Sequence, residues 1–427
     1  MLKPEQNDYL TRTDAGEAMG RLFRCYWLPA LLASELPEDG CPPVRLKLLG
    51  ETLLAVRDGS GRLGLIDEFC AHRRVSLWFG RTEADGIRCP YHGWRYGTDG
   101  QCLEVPSEPE DSTVSSRIRL TAYPLIRIGH VLWTYMGPPD LRPPEPEWEF
   151  AAVPSDQSFV SKRLQESNWL QAMEGGIDSS HVSWLHRGNL NSDPLFKGAK
   201  ANQYNLNDAQ PVFEVAETDG GLAIAAKRNA EQGAWYWRVT AWVMPSFTMV
   251  PPRGEHPLHG HFWIPIDDEN CWAWSFNYHP TRPLSAAERI AMETGHGTHV
   301  KYVPGTFRPL ANKDNDYLID RQAQRDGRSL SGVEGIGMQD ASLQESMGPI
   351  VDRSKEHLVS TDRGIVMARS KLLRAARALE QGVIPPGVDP AHQRIRSTAL
   401  VLPAGQPFEE AARQAMVVRE GVAHVTV

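Results

Sequence analysis

Two short stretches of this 427-residue chain set a thiol beside an imidazole. Cys70-Ala-His72 is followed, after sixteen intervening residues, by Cys89-Pro-Tyr-His92. Thiolate and imidazole are the side chains best suited to iron or zinc. Phe69 and Cys70 close an apolar run, and Pro90 and Gly93 flank the second pair, so both pairs sit in turn-like surroundings. Two hairpin tips with two ligands each would make a four-ligand site at the end of a β domain. A structural zinc is one reading, but zinc sites usually pair Cys with Cys and His with His at short spacing. One Cys and one His from each loop suits a [2Fe–2S] cluster better, with one iron on both cysteines and the other on both histidines.

A second constellation follows downstream. Asn168-Trp-Leu-Gln-Ala-Met-Glu174-Gly-Gly-Ile-Asp178-Ser-Ser-His181-Val-Ser-Trp-Leu-His186 carries two histidines five residues apart. On an ideal helix five residues turn about 500°, a net of about 140°, so His181 and His186 would not share a face. A π-bulge between them, or a helix ending near His186 and Gly188, would let both reach one metal. Asp178 and His181, three apart, do share a face. Two histidines and a carboxylate are the facial triad of non-haem iron oxygenases, which leaves positions open for oxygen. Alone, a pair of histidines with this spacing is more often structural or superficial.

The elements that must position these residues fall into two groups. Val44, Leu46 and Leu48 alternate with Arg45 and Lys47; Leu53–Val56, Leu63–Ile66 and Val131-Trp133-Tyr135 continue a pattern of short strands with a Gly-rich turn at 58–61. Five prolines between Gly137 and Pro146 exclude a regular helix or a central strand and read as a semi-rigid linker. Beyond it both periods occur. Residues 164–186 read as helical, Trp235–Met249 and Gly260–Tyr278 as strands, and Ile365, Ala368, Leu372, Ala376 and Leu379 share a helical face that Gly382 stops. The fold class is therefore α+β, with an antiparallel sheet in the second part. The expected divisions are a lead-in at 1–40 packing on the other domains, a β domain at 41–137, the linker at 138–146 and a larger domain at 147–427.

Composition adds exclusions. Six cysteines do not make a disulfide scaffold. A net charge of −8 without a basic block argues against general nucleic-acid binding. No apolar stretch is long enough to span a bilayer, and the polar N-terminus lacks a secretory core, so no membrane role and a cytoplasmic location are expected.

Cys-x-His-Arg with Cys-Pro-Tyr-His-Gly-Trp (Cys89–Trp94) resembles the cluster motif of the Rieske non-haem iron aromatic ring-hydroxylating oxygenases, and Asp-x2-His-x4-His resembles their mononuclear-iron motif. The segment from Gly337 through Asp340 to Glu356 resembles the matching part of the phthalate dioxygenase-like large (alpha) subunits. The resemblance implies an N-terminal Rieske all-β domain and a helix-grip catalytic domain. It implies that Cys70, His72, Cys89 and His92 bind the [2Fe–2S] cluster. It makes Asp340 the third ligand of a mononuclear Fe(II) beside His181 and His186; Glu345 is second in line, and Asp352 is expected to pair with Arg353 or to cap structure. It gives Asp178 a catalytic role, bridging a Rieske histidine of a neighbouring subunit to an iron-bound histidine. It further implies a homotrimer or dimer of trimers, a flavin reductase passing electrons from NAD(P)H, and an aromatic substrate with O2. Ring dihydroxylation of a carboxylated aromatic is the expected reaction. O-demethylation of a methoxylated acid is the alternative, and an electron carrier without oxygenase activity is the reading from another class.

Several features stay open. His259 and His261 alternate on a strand and read first as a core or surface pair. Trp242 and Trp263 are candidates for an aromatic wall, and Arg187, Arg228, Arg238 and Arg253 for a carboxylate clamp. Asn168 and Glu174 are candidates for places near the iron.

Overall fold

The computed structural model describes residues 2–427. It divides into two compact units, residues 23–143 and residues 1–22 with 144–427.

The first unit is all β. Its strands are β1 (Trp27–Leu32), β2 (Val44–Leu48), β3 (Glu51–Arg57), β4 (Leu63–Asp67), β5 (Arg81–Glu83), β6 (Gly86–Arg88), β7 (Arg95–Tyr96), β8 (Cys102–Glu104), β9 (Ala122–Ile128) and β10 (Val131–Tyr135). Six form an antiparallel sheet in the order β1-β10-β9-β4-β3-β2, and β5 to β8 form a four-stranded sheet in sequence order. Leu54, Val56, Ile66, Leu77, Ile87 and Tyr96 pack into one core with Cys70 and Cys89. The expected lead-in at 1–40 is split. Residues up to Leu22 go with the second unit, whereas Trp27–Leu32 is an edge strand paired with β10. Its apolar residues read as a lead-in because the strand's partner lies a hundred residues away.

The second unit is built on an eight-stranded antiparallel sheet: β11 (Ser158–Gln165), β12 (Val212–Glu217), β13 (Gly221–Asn229), β14 (Ala234–Val243), β15 (Phe247–Val250), β16 (Leu258–Pro265), β17 (Cys271–Tyr278) and β18 (Thr398–Pro403). The order is β11-β17-β16-β15-β14-β13-β12, with β18 also pairing β14. Side chains alternate between faces along each strand, so register decides which residues meet. One cross-strand row runs Ser161, Ser275, His261, Thr248, Trp242 and Leu222. Arg163, His259, Trp263 and Arg238 therefore project from that same face.

Four helices matter for the site: α1 (Pro4–Thr11), α2 (Trp169–Ile177), α3 (Ile336–Ser346) and α4 (Arg363–Leu379). Helix α2 packs on β16 and α3, and α4 on β12 and β13. Both lie on the face just described. A Cβ at Gly176 would come within 2.2 Å of the Trp263 ring, and one at Gly364 within 2.9 Å of Ile224, so glycine sets how closely each helix approaches. No helix among the described residues is long and apolar enough to cross a membrane, and all six cysteines are free.

Candidate metal centres and substrate pocket

The two Cys-His loops have one backbone design. In the first, the Cys70 N–H donates to Val75 O (2.9 Å) and Arg74 N–H to Cys70 O (2.9 Å). In the second, Cys89 N–H donates to Trp94 O (2.8 Å) and Gly93 N–H to Cys89 O (3.0 Å). The fifth residue of each turn is left-handed, Arg74 at φ +59° and Gly93 at φ +75°. Glycine adopts this conformation freely. Arg74 is held in it by donating to Asp67 Oδ2 (2.9 Å) and Phe69 O (3.2 Å). The thiols point inward and are buried, while His72 and His92 lie exposed with ring centroids 4.4 Å apart. His72 stacks on Trp94 at 4.7 Å. The Tyr96 hydroxyl accepts from Ala71 N–H (3.2 Å) and lies 3.2 Å from Cys70 Sγ. Two inner sulfurs and two outer imidazoles are a donor set that fits a [2Fe–2S] cluster.

The second constellation sits on irregular backbone. Residues 164–186 are not one helix: 158–165 are strand β11, α2 ends at Ile177, and only a 3-10 turn covers His181–Ser183. The reason is local. Gly175 and Gly176 weaken the end of the helix, and the Asp178 carboxylate accepts Ser180 N–H (2.7 Å), turning the chain. Two arginines pin the turn from the sheet. Arg228 donates to Ser179 O (2.7 Å) and Arg238 to Ser179 Oγ (3.0 Å).

This turn aims both imidazoles at α3. His181 Nε2 lies 3.6 Å and His186 Nε2 3.1 Å from Asp340 Oδ1. One ligand atom from each of the three lies within 4.8 Å of the others. Ligands about 2.1 Å from a shared metal sit about 3 Å from one another, so the donor set and spacing fit a 2-His-1-carboxylate metal. Behind the ligand atoms, Asp178 Oδ2 is 3.2 Å from His181 Nδ1, and Gln339 Oε1 is 2.8 Å from His186 Nδ1. Burial pushes the Asp340 carboxyl up, but the His186 and His181 imidazoles and Arg163 outweigh it and hold it at about 2.

Other candidates fall elsewhere. Glu345 accepts Glu166 N–H (3.0 Å) and the Tyr317 hydroxyl (2.8 Å). Asp352 caps the turn at 353–355. Asn168 caps α2 and donates to Thr11 O of α1 (2.9 Å) and to Asp268 O (2.6 Å). Glu174 is bound to Arg353 (3.1 Å) and Arg369 (2.6 Å). Neither of these last two lines the cavity beside the triad, because each is engaged by buried partners. Arg187 is exposed and Trp242 is fully buried off the cavity.

The cavity beside the triad is lined by Arg163, Arg238, Arg253, His259, His261 and Trp263, among others. His259 and His261 are therefore pocket residues. Burial, with Arg163 near, pushes the His261 imidazole down to about 4; burial and Arg253 push His259 well below its ordinary value. Both are neutral at pH 7. Nothing local in the sequence distinguishes Arg163; sheet register brings it to the pocket. All three arginines are buried, and none has a carboxylate within 4.0 Å among the described residues. The Arg163 side chain donates to Gln165 Oε1 (3.2 Å) and that of Arg253 to Asn202 Oδ1 (2.6 Å); among the described residues the Nε of each has no partner. Burial depresses both, Arg253 to about 9.

The Rieske [2Fe-2S] domain family matches residues 26–124, and the family described as LigXa C-terminal domain like matches residues 134–410. The chain is 38% identical to the 3-chlorobenzoate-3,4-dioxygenase oxygenase subunit of Comamonas testosteroni, over 97% of this chain and 98% of that one. It is 36% identical to the phthalate 4,5-dioxygenase oxygenase subunit of Pseudomonas putida, over 90% and 88%. It is 32% identical to the 5,5'-dehydrodivanillate O-demethylase oxygenase subunit of Sphingobium sp. (strain NBRC 103272 / SYK-6), over 92% and 85%. The chain belongs to the Rieske non-haem iron aromatic ring-hydroxylating oxygenases, as an alpha subunit. It is the terminal oxygenase component of a multicomponent system, with a Rieske cluster, a mononuclear iron and electrons drawn from NAD(P)H through a reductase.

Proposed function

We propose that His181, His186 and Asp340 hold the mononuclear iron, that Cys70 with Cys89 and His72 with His92 hold the two irons of the cluster, and that the substrate is a carboxylated aromatic ring oxidised to a cis-diol. One observation carries the substrate class: three buried arginines without carboxylate partners line the cavity beside the iron triad. A buried charge without a counterion is costly, and a guanidinium matches a carboxylate through paired N–H donors. Arg163, Arg238 and Arg253 outnumber Asp178 and Asp340 in the lining, so an anionic ring fits the pocket's charge. The names of two relatives, 3-chlorobenzoate and phthalate dioxygenase subunits, describe enzymes of carboxylated rings and support the same class.

When bound, the iron supplies oxygen activation and the cluster supplies the electrons. The protein's own groups do the positioning. The arginines hold the carboxylate, Trp263 walls the ring, and the neutral His259 and His261 accept hydrogen bonds without adding charge. Asp178 orients His181 from behind. We further propose a homotrimer in which Asp178 of one chain meets the exposed His72 or His92 of the next, giving electrons a hydrogen-bonded route between imidazoles. The exposure of both cluster histidines supports this arrangement.

Product analysis tests the reaction. The purified protein, a reductase and NADH are incubated with phthalate-like, phenoxy and methoxy aromatic acids, and diols, formaldehyde and oxygen uptake are measured. The expected result is a diol from a carboxylated ring without formaldehyde. Substrate-dependent formaldehyde would instead make the protein an O-demethylase, the reading that its likeness to the dehydrodivanillate enzyme supports.

A further inference from the structure

The two imidazoles facing Asp340 are held from behind by different chemistry. His181 Nδ1 meets a carboxylate oxygen of Asp178, and His186 Nδ1 meets the carboxamide oxygen of Gln339. The carboxamide cannot be turned around. Gln339 Nε2 donates to Val333 O (3.1 Å) and to Asn189 Oδ1 (2.9 Å). A backbone carbonyl only accepts, so the NH2 group must face Val333 and the oxygen must face His186. That oxygen in turn only accepts, so His186 Nδ1 carries a hydrogen. Nε2 is the nitrogen that faces Asp340 and is left for a shared metal. Gln339 is 2% exposed, so water offers its partners no replacement. It also precedes Asp340 in the chain, so one turn of α3 carries a carboxylate of the triad and the group that orients an imidazole of the triad.

We infer that Gln339 is a positioning residue that fixes the tautomer and ring orientation of His186, and that the two histidines are made unequal, one backed by an anion and the other by a neutral dipole. This rests on the proposed metal triad. A carboxylate behind an imidazole raises its basicity as a ligand. A carboxamide orients the ring without that charge. The site thus gains a fixed second imidazole without a third carboxylate beside Asp178 and Asp340.

The test uses the cluster-loaded full chain, depleted of mononuclear iron and titrated with Co(II), whose visible absorption reports ligand field as well as affinity. Wild type, Gln339→Leu, Gln339→Glu and Asp340→Ala are compared, each with a thermal melt. Gln339→Leu removes the acceptor and is expected to weaken Co(II) binding about 10- to 100-fold. Gln339→Glu keeps an acceptor on His186 while losing both amide donors. It is expected to recover the affinity and to shift the Co(II) absorption, because an anion now backs the ring.

If Leu and Glu variants lose affinity together, in step with their melting temperatures, Gln339 only ties Asn189 to Val333 and the inference is overturned. Undiminished binding in Gln339→Leu also overturns it, while loss of binding in Asp340→Ala would leave the triad standing. Undiminished binding in Asp340→Ala overturns the triad and the inference together. Should the Leu variant not fold, Gln339→Glu decides alone: a shifted spectrum at retained affinity supports the inference, and an unchanged spectrum overturns it.

Discussion

The cluster loops and the pocket each gather two imidazoles, and they do it by opposite means. His72 and His92 stand at the surface on two turns whose geometry is set by hydrogen bonds within a few residues. His186 is 4% exposed, and its orientation depends on Gln339, 153 positions away. The difference follows from the tasks. A centre that passes one electron must present a ligand to whatever receives it. A centre that makes oxygen reactive must keep water out and hold its substrate, which requires residues from several strands and helices.

The comparison can be broken from the pocket side. Glu174, on α2, is bound to Arg353 and Arg369, and those arginines hold its carboxyl down against the upward push of burial. Glu174→Gln leaves Arg353, which is 0% exposed, without its closest carboxylate. We expect a loss of about 3–5 kcal/mol in urea unfolding followed by circular dichroism, with the visible spectrum of the native cluster unchanged. A spectrum altered along with stability would show that the loops are not locally determined.

Asp178→Asn sharpens the comparison next. It keeps the shape of the turn but replaces the anion that backs His181. The variant should hold both metals and lose about 100-fold in single-turnover rate; a rate equal to wild type would rule out the electron route through Asp178. Arg163→Leu follows. It should weaken a carboxylated ring on the order of 10- to 100-fold, matching the roughly 1.5–3 kcal/mol of a charged hydrogen bond, and leave the corresponding amide unaffected. Equal losses for acid and amide would remove Arg163 from substrate recognition.

The last effect is on pH dependence. Burial holds His261 neutral down to about 4 and His299, buried between Ser161 and Asn277, down to about 3. Below about pH 6.5 the unfolded chain takes up protons at these histidines that the folded chain refuses. Their contribution to stability is therefore complete above about pH 6.5 and is lost as the pH falls toward the folded values, by about 1.4 kcal/mol per pH unit for each histidine. His299→Gln should flatten the slope of unfolding free energy between about pH 6 and pH 4 by that amount. An unchanged slope would mean that His299 is not held neutral.

These regions were also unequally legible in the sequence. The cluster motif could be read because its ligands, turns and the glycine at 93 are neighbours in the chain. His181 and His186 could be read as a pair, but not their geometry: a helix was expected where Gly175, Gly176 and the Asp178 turn end one. Asp340 came only through family resemblance, since no local feature ties it to residues 181–186. Arg163, His261 and Gln339 acquire meaning only from sheet register and helix packing. The strand Trp27–Leu32 was hidden for the same reason, as β10, its partner, lies far along the chain.

The most direct test of the whole account is an iron titration. Fe(II) is added to cluster-loaded wild type and Asp340→Ala, each depleted of mononuclear iron, and a single turnover with a carboxylated aromatic acid is then measured. The account predicts that wild type regains bound iron and forms oxygenated product, whereas Asp340→Ala does neither and keeps an unaltered cluster spectrum. An Asp340→Ala protein that binds the iron and turns over would contradict it.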